Sequence, residues 1–245
     1  MVELKEKFQL SEHINLEEYD NYMKDKPLEQ RITLDFIIDR FRKNKSLRII
    51  EFGAGTGRFT KLLLNLFPKS NLTLVEPDKK CCLKLNKLKN KYSQLKIIQS
   101  NAEDFKSKSQ FDIIIMATAF HHISFQNKLE FLKLVKKLLN KQGMFLCGDN
   151  FIAEYITMNE RNQVLTKSMN KWIKDAKKDD DQKELKMAQE MKTIVFRKDY
   201  GGEYFICPSK FESYIEESKL KIKGKINVTN TNPFDMENYF YLIMK

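Results

Sequence analysis

The chain is poor in the residues that build metal clusters and disulfide frameworks. Its 245 residues hold four cysteines and three histidines, and no Cys-x-x-Cys pair occurs: Cys81 and Cys82 are adjacent, while Cys147 and Cys207 stand alone. Neither a disulfide scaffold nor a zinc site is expected, no metal ligand set is read, and a reduced, cytoplasmic compartment follows. Long apolar runs are missing too. The longest, Ile113 to Phe120, is too short to cross a bilayer. The opening Met1–Lys7 has no apolar core of the kind a secretion signal carries. Arginine is scarce as well, with 7 among the 44 basic residues. Phosphate recognition favours the planar guanidinium fork, so the net charge of +11 argues only weakly for nucleic acid.

What is present is the composition of a folded domain: 42% hydrophobic and 31% charged residues, enough to bury a full core. The positive excess is local. Residues 47–150 carry 18 Lys/Arg against 8 Asp/Glu, while the flanks are nearly balanced. A solvated lysine surface and a polyanion-binding face both remain open readings of that excess.

The sharpest local signal is Leu47-Arg48-Ile49-Ile50-Glu51-Phe52 running into Gly53-Ala54-Gly55-Thr56-Gly57. An apolar strand ends in an acid and turns through three alternating glycines into a helix, leaving main chain bare enough for a ligand to approach. Arg58, Phe59 and Thr60 stand where a dinucleotide fingerprint would place its last glycine. Glu51, two residues before the first glycine, suits a ligand with a cationic amino group better than a pyrophosphate.

Strands and helices alternate beyond it: strand 47–52, helix 57–67, strand 71–76, helix 78–91, strand 95–99, strand 111–118, helix 126–140 and strand 143–149. Unbroken apolar strands such as Phe111–Met116 mean burial on both faces, hence a parallel sheet between helix layers. Gly143 reads as the punctuation before the fifth strand. Upstream, residues 11–46 read as helical, with Ile32, Phe36, Ile37 and Phe41 on one stripe of a helix 28–42 that follows Pro27. Downstream, residues 151–192 read as a polar helical insertion, Tyr200–Phe205 as a turn or hairpin, and Pro208–Ser218 as a helix. Strands near 220–228 and 237–244, joined through Asn230–Pro233, are too closely linked for a parallel crossover and must pair antiparallel.

Glu51–Gly57, Val75-Glu76-Pro77-Asp78, Asn101–Phe105, Phe111–Ile123 and Leu139–Gly143 together resemble the successive motifs of class I S-adenosylmethionine-dependent methyltransferases. Within that family Ala119-Phe120-His121-His122-Ile123 resembles the small-molecule, quinone-biosynthesis type. The resemblance implies an α/β fold: a Rossmann-like, mostly parallel seven-stranded sheet with a C-terminal antiparallel hairpin, helices on both faces and a helical cap. It implies one methyltransferase domain over 1–245, with a helical lid (1–46), a cofactor-binding core (47–150), a cap insertion and hairpin (151–207), and a last helix and strands (208–245). S-adenosylmethionine is the implied cofactor and S-adenosylhomocysteine the product. The cofactor-binding set is Glu51, Gly53, Ala54, Gly55, Gly57, Glu76, Pro77, Asn101, Ala102, Ala117 and Tyr19. Glu76 would accept the ribose hydroxyls, Pro77 would shape the loop beside the adenosyl group, and Asn101 and Ala102 would meet the adenine. Tyr19 and Tyr22 fit an aromatic lid or ordinary helix-face packing.

His121 and His122 are the candidate catalytic residues, with His122 preferred on the resemblance. A neutral imidazole near pKa ~6.5 can take a proton from an acceptor, and a purely structural histidine is the competing reading. Asp149 and Asn150 either orient the acceptor or cap the next helix. Trp172, Met158 and Met169 either line an acceptor pocket or pack a helical face. The activity implied is in-line methyl transfer to a small-molecule acceptor, by a monomer or a homodimer without a membrane span. RNA methylation and a noncatalytic cofactor-binding or partner subunit are the alternatives.

Overall fold

The computed structural model describes residues 11, 15–22, 32–33, 35–37, 39, 46–197, 202–228 and 236–245. Helix α1 (Leu16–Tyr22) precedes β1 (Arg48–Phe52), α2 (Arg58–Leu66), β2 (Asn71–Glu76), α3 (Lys79–Lys89), β3 (Leu95–Gln99) and β4 (Phe111–Ala117). A 3₁₀ turn (Phe120–His122) leads to α4 (Lys128–Leu138) and β5 (Leu139–Phe151). Then come α5 (Met158–Lys178), α6 (Gln182–Val195), α7 (Pro208–Glu217), β6 (Lys221–Asn227) and β7 (Glu237–Met244).

The strands form one seven-stranded sheet in the order β3-β2-β1-β4-β5-β7-β6. β1 to β5 pair parallel, and β7 runs antiparallel between β5 and β6. The two-residue period of a strand explains the unbroken apolar runs. Ile50, Ile114 and Met116 pack on one face with Phe131, Val135 and Leu138 of α4 and with Phe211 and Ile215 of α7. Ile49, Ile113 and Ile115 pack on the other, with Phe59, Leu63 and Leu64 of α2 and Leu85 of α3. The central parallel strands β1 and β4 are covered on both sides, so the ligand edge is left to the loops at the strands' carboxyl ends.

The ends of the elements have local causes. Asp78 caps α3 by accepting the N–H groups of Lys80 and Cys81, and Thr157 with Glu160 forms a reciprocal capping box at α5. β6 exposes Lys221 and Lys225 on the sheet's edge, where lysine discourages pairing with another chain.

Three expectations need correction. β5 begins at Leu139 rather than 143, because Leu139 pairs with Phe111 across a register shift and Gly143 lies inside the strand. A Cβ at Gly143 would sit 2.8 Å from the Phe111 carbonyl oxygen, so glycine lets the strand pass that oxygen rather than ending an element. Residues 203–207 form no hairpin. They run irregularly, with Tyr204 N–H donating to the His121 carbonyl (2.8 Å) and Ile206 C=O accepting from Ile152 (3.2 Å). Tyr204 and Ile206 thus find their backbone partners in the turn after β4 and just beyond β5, and the Glu203 and Phe205 carbonyls accept from Arg161.

Helices α5 and α6 share a separate core of Leu165, Met169, Trp172, Ala188 and Val195, joined by Ile152, Tyr155, Phe205 and Met236. Trp172 and Met169 are therefore buried inside the cap, and Trp172 Nε1 donates to Glu184 at 3.2 Å. Met158 is exposed at the start of α5. Of the expected helix 28–42, the described residues are helical, with Ile37 buried and Ile32 and Phe36 packed beside it. Phe41, the Tyr200–Gly201 part of the expected hairpin and the Asn230–Pro233 link lie outside the described residues.

Candidate active site

The three glycines after β1 all take left-handed φ, at +71° for Gly53, +54° for Gly55 and +80° for Gly57, a region that penalises other residues. Their surroundings differ. A Cβ at Gly53 would lie 2.5 Å from Ala119 Cβ, and one at Gly57 would lie 2.7 Å from Leu85. These two let the loop pack against the fold. A Cβ at Gly55 would meet nothing within 4 Å among the described residues, so here the bare main chain faces open space between them.

Two carboxylates converge on this loop. Glu76, at the end of β2, accepts the Gly55 N–H at 2.7 Å on Oε2 and the Asp78 N–H at 2.9 Å on Oε1. Glu51, at the end of β1, accepts the Thr60 hydroxyl at 2.6 Å. Both are buried. Burial pushes Glu51 up to about 8, partly offset by the Thr60 hydrogen bond and reinforced by the Glu76 charge. Burial also lifts Glu76 to about 7 against the pull of the Asp78 and Gly55 N–H groups. Two buried acids held near neutrality describe a place suited to a cationic or hydroxyl-rich ligand.

The rim comes from either side. Ala54 is buried, and Pro77 follows Glu76 with its carbonyl accepting from Gln99 at 3.5 Å. After β3, Asn101 Nδ2 donates to Asp104 at 2.8 Å, and Ala102 packs into the core. Ala117 ends β4 opposite Gly148, and the next residue, Thr118, takes a φ of +51°. On the N-terminal side Asp20 of α1 accepts the Thr56 hydroxyl (2.5 Å) and pairs with Lys84 (3.1 Å). Ser11 N–H reaches Asp78 at 2.6 Å. The side chains of Tyr19 and Tyr22 lie outside the described residues.

Beyond β4 the histidines enter a buried polar cluster. Asp149, at the end of β5, accepts the His121 backbone N–H at 2.9 Å on Oδ2 and holds His121 Nδ1 at 2.5 Å with Oδ1. Asp149 neither caps the next helix, which Thr157 does, nor stands free for an acceptor. His121 stacks on Phe205 with ring centroids 4.8 Å apart. Burial alone would depress its pKa, but the charge and hydrogen bond of Asp149 outweigh that and raise it. His122 is partly exposed, with Nδ1 3.1 Å from the Gly202 carbonyl oxygen.

Sequence reading missed three members of this cluster. Glu203 is buried against both histidines, and burial lifts it to about 7 despite the His121 charge. Lys128 is fully buried and donates to the Phe120 carbonyl at 2.9 Å, with burial pressing its pKa down to about 7. Arg161 is fully buried and donates to the carbonyls of Phe205 (2.9 Å) and Glu203 (3.1 Å). These two cations pin the 3₁₀ turn and the 203–205 segment over the carboxyl edge of β4 and β5.

Residues 50–145, spanning β1 into β5, match the family described as Methyltransferase domain. Over that stretch the chain is similar to methyltransferase domains. Curated relatives agree: an uncharacterized methyltransferase of Oceanobacillus iheyensis is 28% identical over 116 residues, covering 47% of this chain and 52% of that protein. A malonyl-[acyl-carrier protein] O-methyltransferase of Bacillus anthracis is 27% identical over 111 residues, covering 45% of this chain and 40% of its own. The chain spans about half the length of the curated relatives it matches. Among solved structures, the Burkholderia thailandensis 1,6-didemethyltoxoflavin-N1-methyltransferase, with its substrate and S-adenosylhomocysteine bound, superposes with a TM-score of 0.61. That match covers 94% of this chain and 83% of the other at 10% identity, and it establishes the class I methyltransferase fold around the domain. The matched stretch thus includes the glycine loop, both buried carboxylates and the turn that carries the two histidines. No helix among the described residues is long and apolar enough to cross a membrane.

Proposed function

We propose that the chain is an S-adenosylmethionine-dependent methyltransferase acting on a small-molecule acceptor. The observation that carries the reading is the contrast among the three loop glycines: of these, Gly55 alone opens its missing side chain onto space free of the described residues, directly beside the Glu76 carboxylate. Bound there, the cofactor would supply a methyl group already activated on a sulfonium sulfur.

The chain's own residues then have four tasks. Glu76 keeps lone pairs for the ribose hydroxyls while it holds the loop, since an ionised carboxylate has about four acceptor sites and two are used here. Glu51 offers a buried counter-charge to the amino group of the methionyl end. Gly53, Ala54, Gly57 and Ala117 keep the walls low; Pro77, Asn101 and Ala102 shape the adenine side; and α1 with Tyr19 forms the lid. His122 is the residue placed to take a proton, as the more exposed of the two imidazoles, while His121 is held by Asp149 in a positioning role. Alignment of acceptor and methyl group supplies most of the rate, up to ~7–11 kcal/mol, against ~3–5 kcal/mol for a general base.

A small acceptor is favoured over RNA because the 203–207 segment, pinned by Arg161, lies across the carboxyl edge where a polymer would need an open groove. We assign the whole of 1–245 to one catalytic unit, and the cytoplasm to its compartment, since all four cysteines are free and buried. The test is incubation of the full chain with methyl-labelled S-adenosylmethionine and metabolite extract, with and without RNase. Label in a small compound that survives RNase supports the reading. Label lost with RNase points to RNA, and no label with intact cofactor binding points to a noncatalytic subunit.

A further inference from the structure

His121 and Glu203 face each other at a separation that allows an ion pair when the imidazole is protonated but no hydrogen bond. Asp149 holds His121 by Nδ1, at 2.5 Å, and by its backbone N–H, at 2.9 Å. A proton on Nδ1 satisfies that carboxylate and leaves the Nε2 lone pair pointing away from it. What Nε2 meets, 3.6 Å away, is Oε2 of Glu203. That oxygen is buried in a residue only 3% exposed, and among the described residues it has no hydrogen-bond partner. The separation is too long for a shared proton. It is close to the span of two ligands on one metal, since N and O atoms about 2.0–2.2 Å from a tetrahedral ion lie about 3.4 Å apart.

A third donor completes the set. His122 Nδ1 is 3.9 Å from the same Glu203 oxygen, and the ligand atoms of His121, His122 and Glu203 all lie within 4.8 Å of one another. Lys128 and Arg161 are nearby, but neither hydrogen-bonds Glu203 Oε2; the donors described above go to the carbonyls of Phe120, Phe205 and Glu203. Asp149 behind His121 is the carboxylate that commonly orients a metal-bound imidazole.

We propose that His121, His122 and Glu203 form a binding site for one divalent transition-metal ion of the zinc class, linking the turn after β4 to the cap segment at 203. Two imidazoles and one carboxylate suit Zn²⁺, Co²⁺, Ni²⁺ or Fe²⁺ far better than Mg²⁺ or Ca²⁺. His122 Nδ1 now lies 3.1 Å from the Gly202 carbonyl oxygen, a contact that needs a proton on that nitrogen, and ligation puts the ion in that proton's place. Nothing in the sequence spacing announced such a site, because two ligands are adjacent and the third lies in a separate segment. The inference does not rest on the methyl-transfer reading and competes with its base assignment, since an ion on His122 Nδ1 leaves the imidazole proton on Nε2 and withdraws His122 as a base; the test uses no methyl donor.

The test is metal titration of the full chain after chelator treatment. Zn²⁺ is followed by competition with a chromophoric chelator, and Co²⁺ by its visible absorption. The expected result is one Zn²⁺ per chain, a raised melting temperature on loading, and Co²⁺ bands of a low-coordinate nitrogen/oxygen site. Glu203→Gln should weaken Zn²⁺ at least ~100-fold, and Asp149→Asn, which removes only the orienting carboxylate, ~10–100-fold. Unchanged affinity in folded Glu203→Gln would mean an adventitious surface ion and overturn the proposal. So would Co²⁺ spectra of the wild type that stay those of the hydrated ion, a readout that needs no variant to fold.

Discussion

The Gly55 N–H donates to Oε2 of Glu76 at 2.7 Å, which ties the middle of the loop after β1 to the end of β2. The other Glu76 oxygen accepts from Asp78 at 2.9 Å, so one carboxylate sets the shape of two loops before any ligand arrives. Glu76→Gln puts an amide N–H against one of those donors. It should weaken S-adenosylmethionine about 10–100-fold, or about 1.4–2.8 kcal/mol, which titration calorimetry measures directly.

Gly53 and Gly55 separate packing from binding. Gly53→Ala meets Ala119 at 2.5 Å on top of a left-handed φ, and should cost about 2–5 kcal/mol of stability in denaturant melts. Gly55→Ala meets no atom of the described residues and should cost only about 1–2 kcal/mol for its φ. Its cofactor affinity should nonetheless drop at least tenfold, because the methyl group occupies the ligand's space.

Glu51 makes cofactor binding depend on pH. Held up at about 8 by burial, it keeps a proton that the unfolded chain releases above about 4.5. That contribution to stability is therefore present at low pH and lost as pH climbs through about 8. A cationic amino group favours the ionised acid, so binding at pH 6 should expel a proton. Affinity should rise from pH 6 towards 8, by up to tenfold per unit, and level off where the amino group itself titrates near ~8. Calorimetry across buffers of different ionisation heat checks this, and Glu51→Gln should flatten the rise.

Trp172 belongs to the core of the cap. Trp172→Ala should destabilise the protein by about 3–5 kcal/mol in a urea or thermal melt. A tryptophan lining an acceptor pocket would instead leave the melt nearly unchanged and raise KM.

The strands around the cofactor edge were legible because their chemistry is local. Strands 71–76 and 95–99 match β2 and β3 to the residue, bounded as they are by turn-forming and polar neighbours. The alternation of Ile113, Ile114 and Ile115 between two helix layers follows from strand period alone. The polar cluster was not legible, because Glu203 meets His121 only through tertiary contact across the sheet edge. One signal was present and unread. Lys128 stands on the same helical stripe as Phe131, Leu132 and Val135, and Arg161 on that of Leu165, Met169 and Trp172. A lone cation on an apolar stripe is buried and needs carbonyl partners, and here those partners are the turn after β4 and the cap segment. Residues 203–205, part of the expected turn or hairpin, were hard to read for the same reason: their backbone partner His121 is far away in sequence.

The most direct measurement is calorimetric titration of the full chain with S-adenosylhomocysteine at pH 8. Saturable uptake of one molecule per chain, strongly reduced in Gly55→Ala and Glu76→Gln while both stay folded, is the predicted result. No heat and no shift in melting temperature with folded wild-type protein would contradict the assignment of the Gly55–Glu76 edge to an adenosyl ligand.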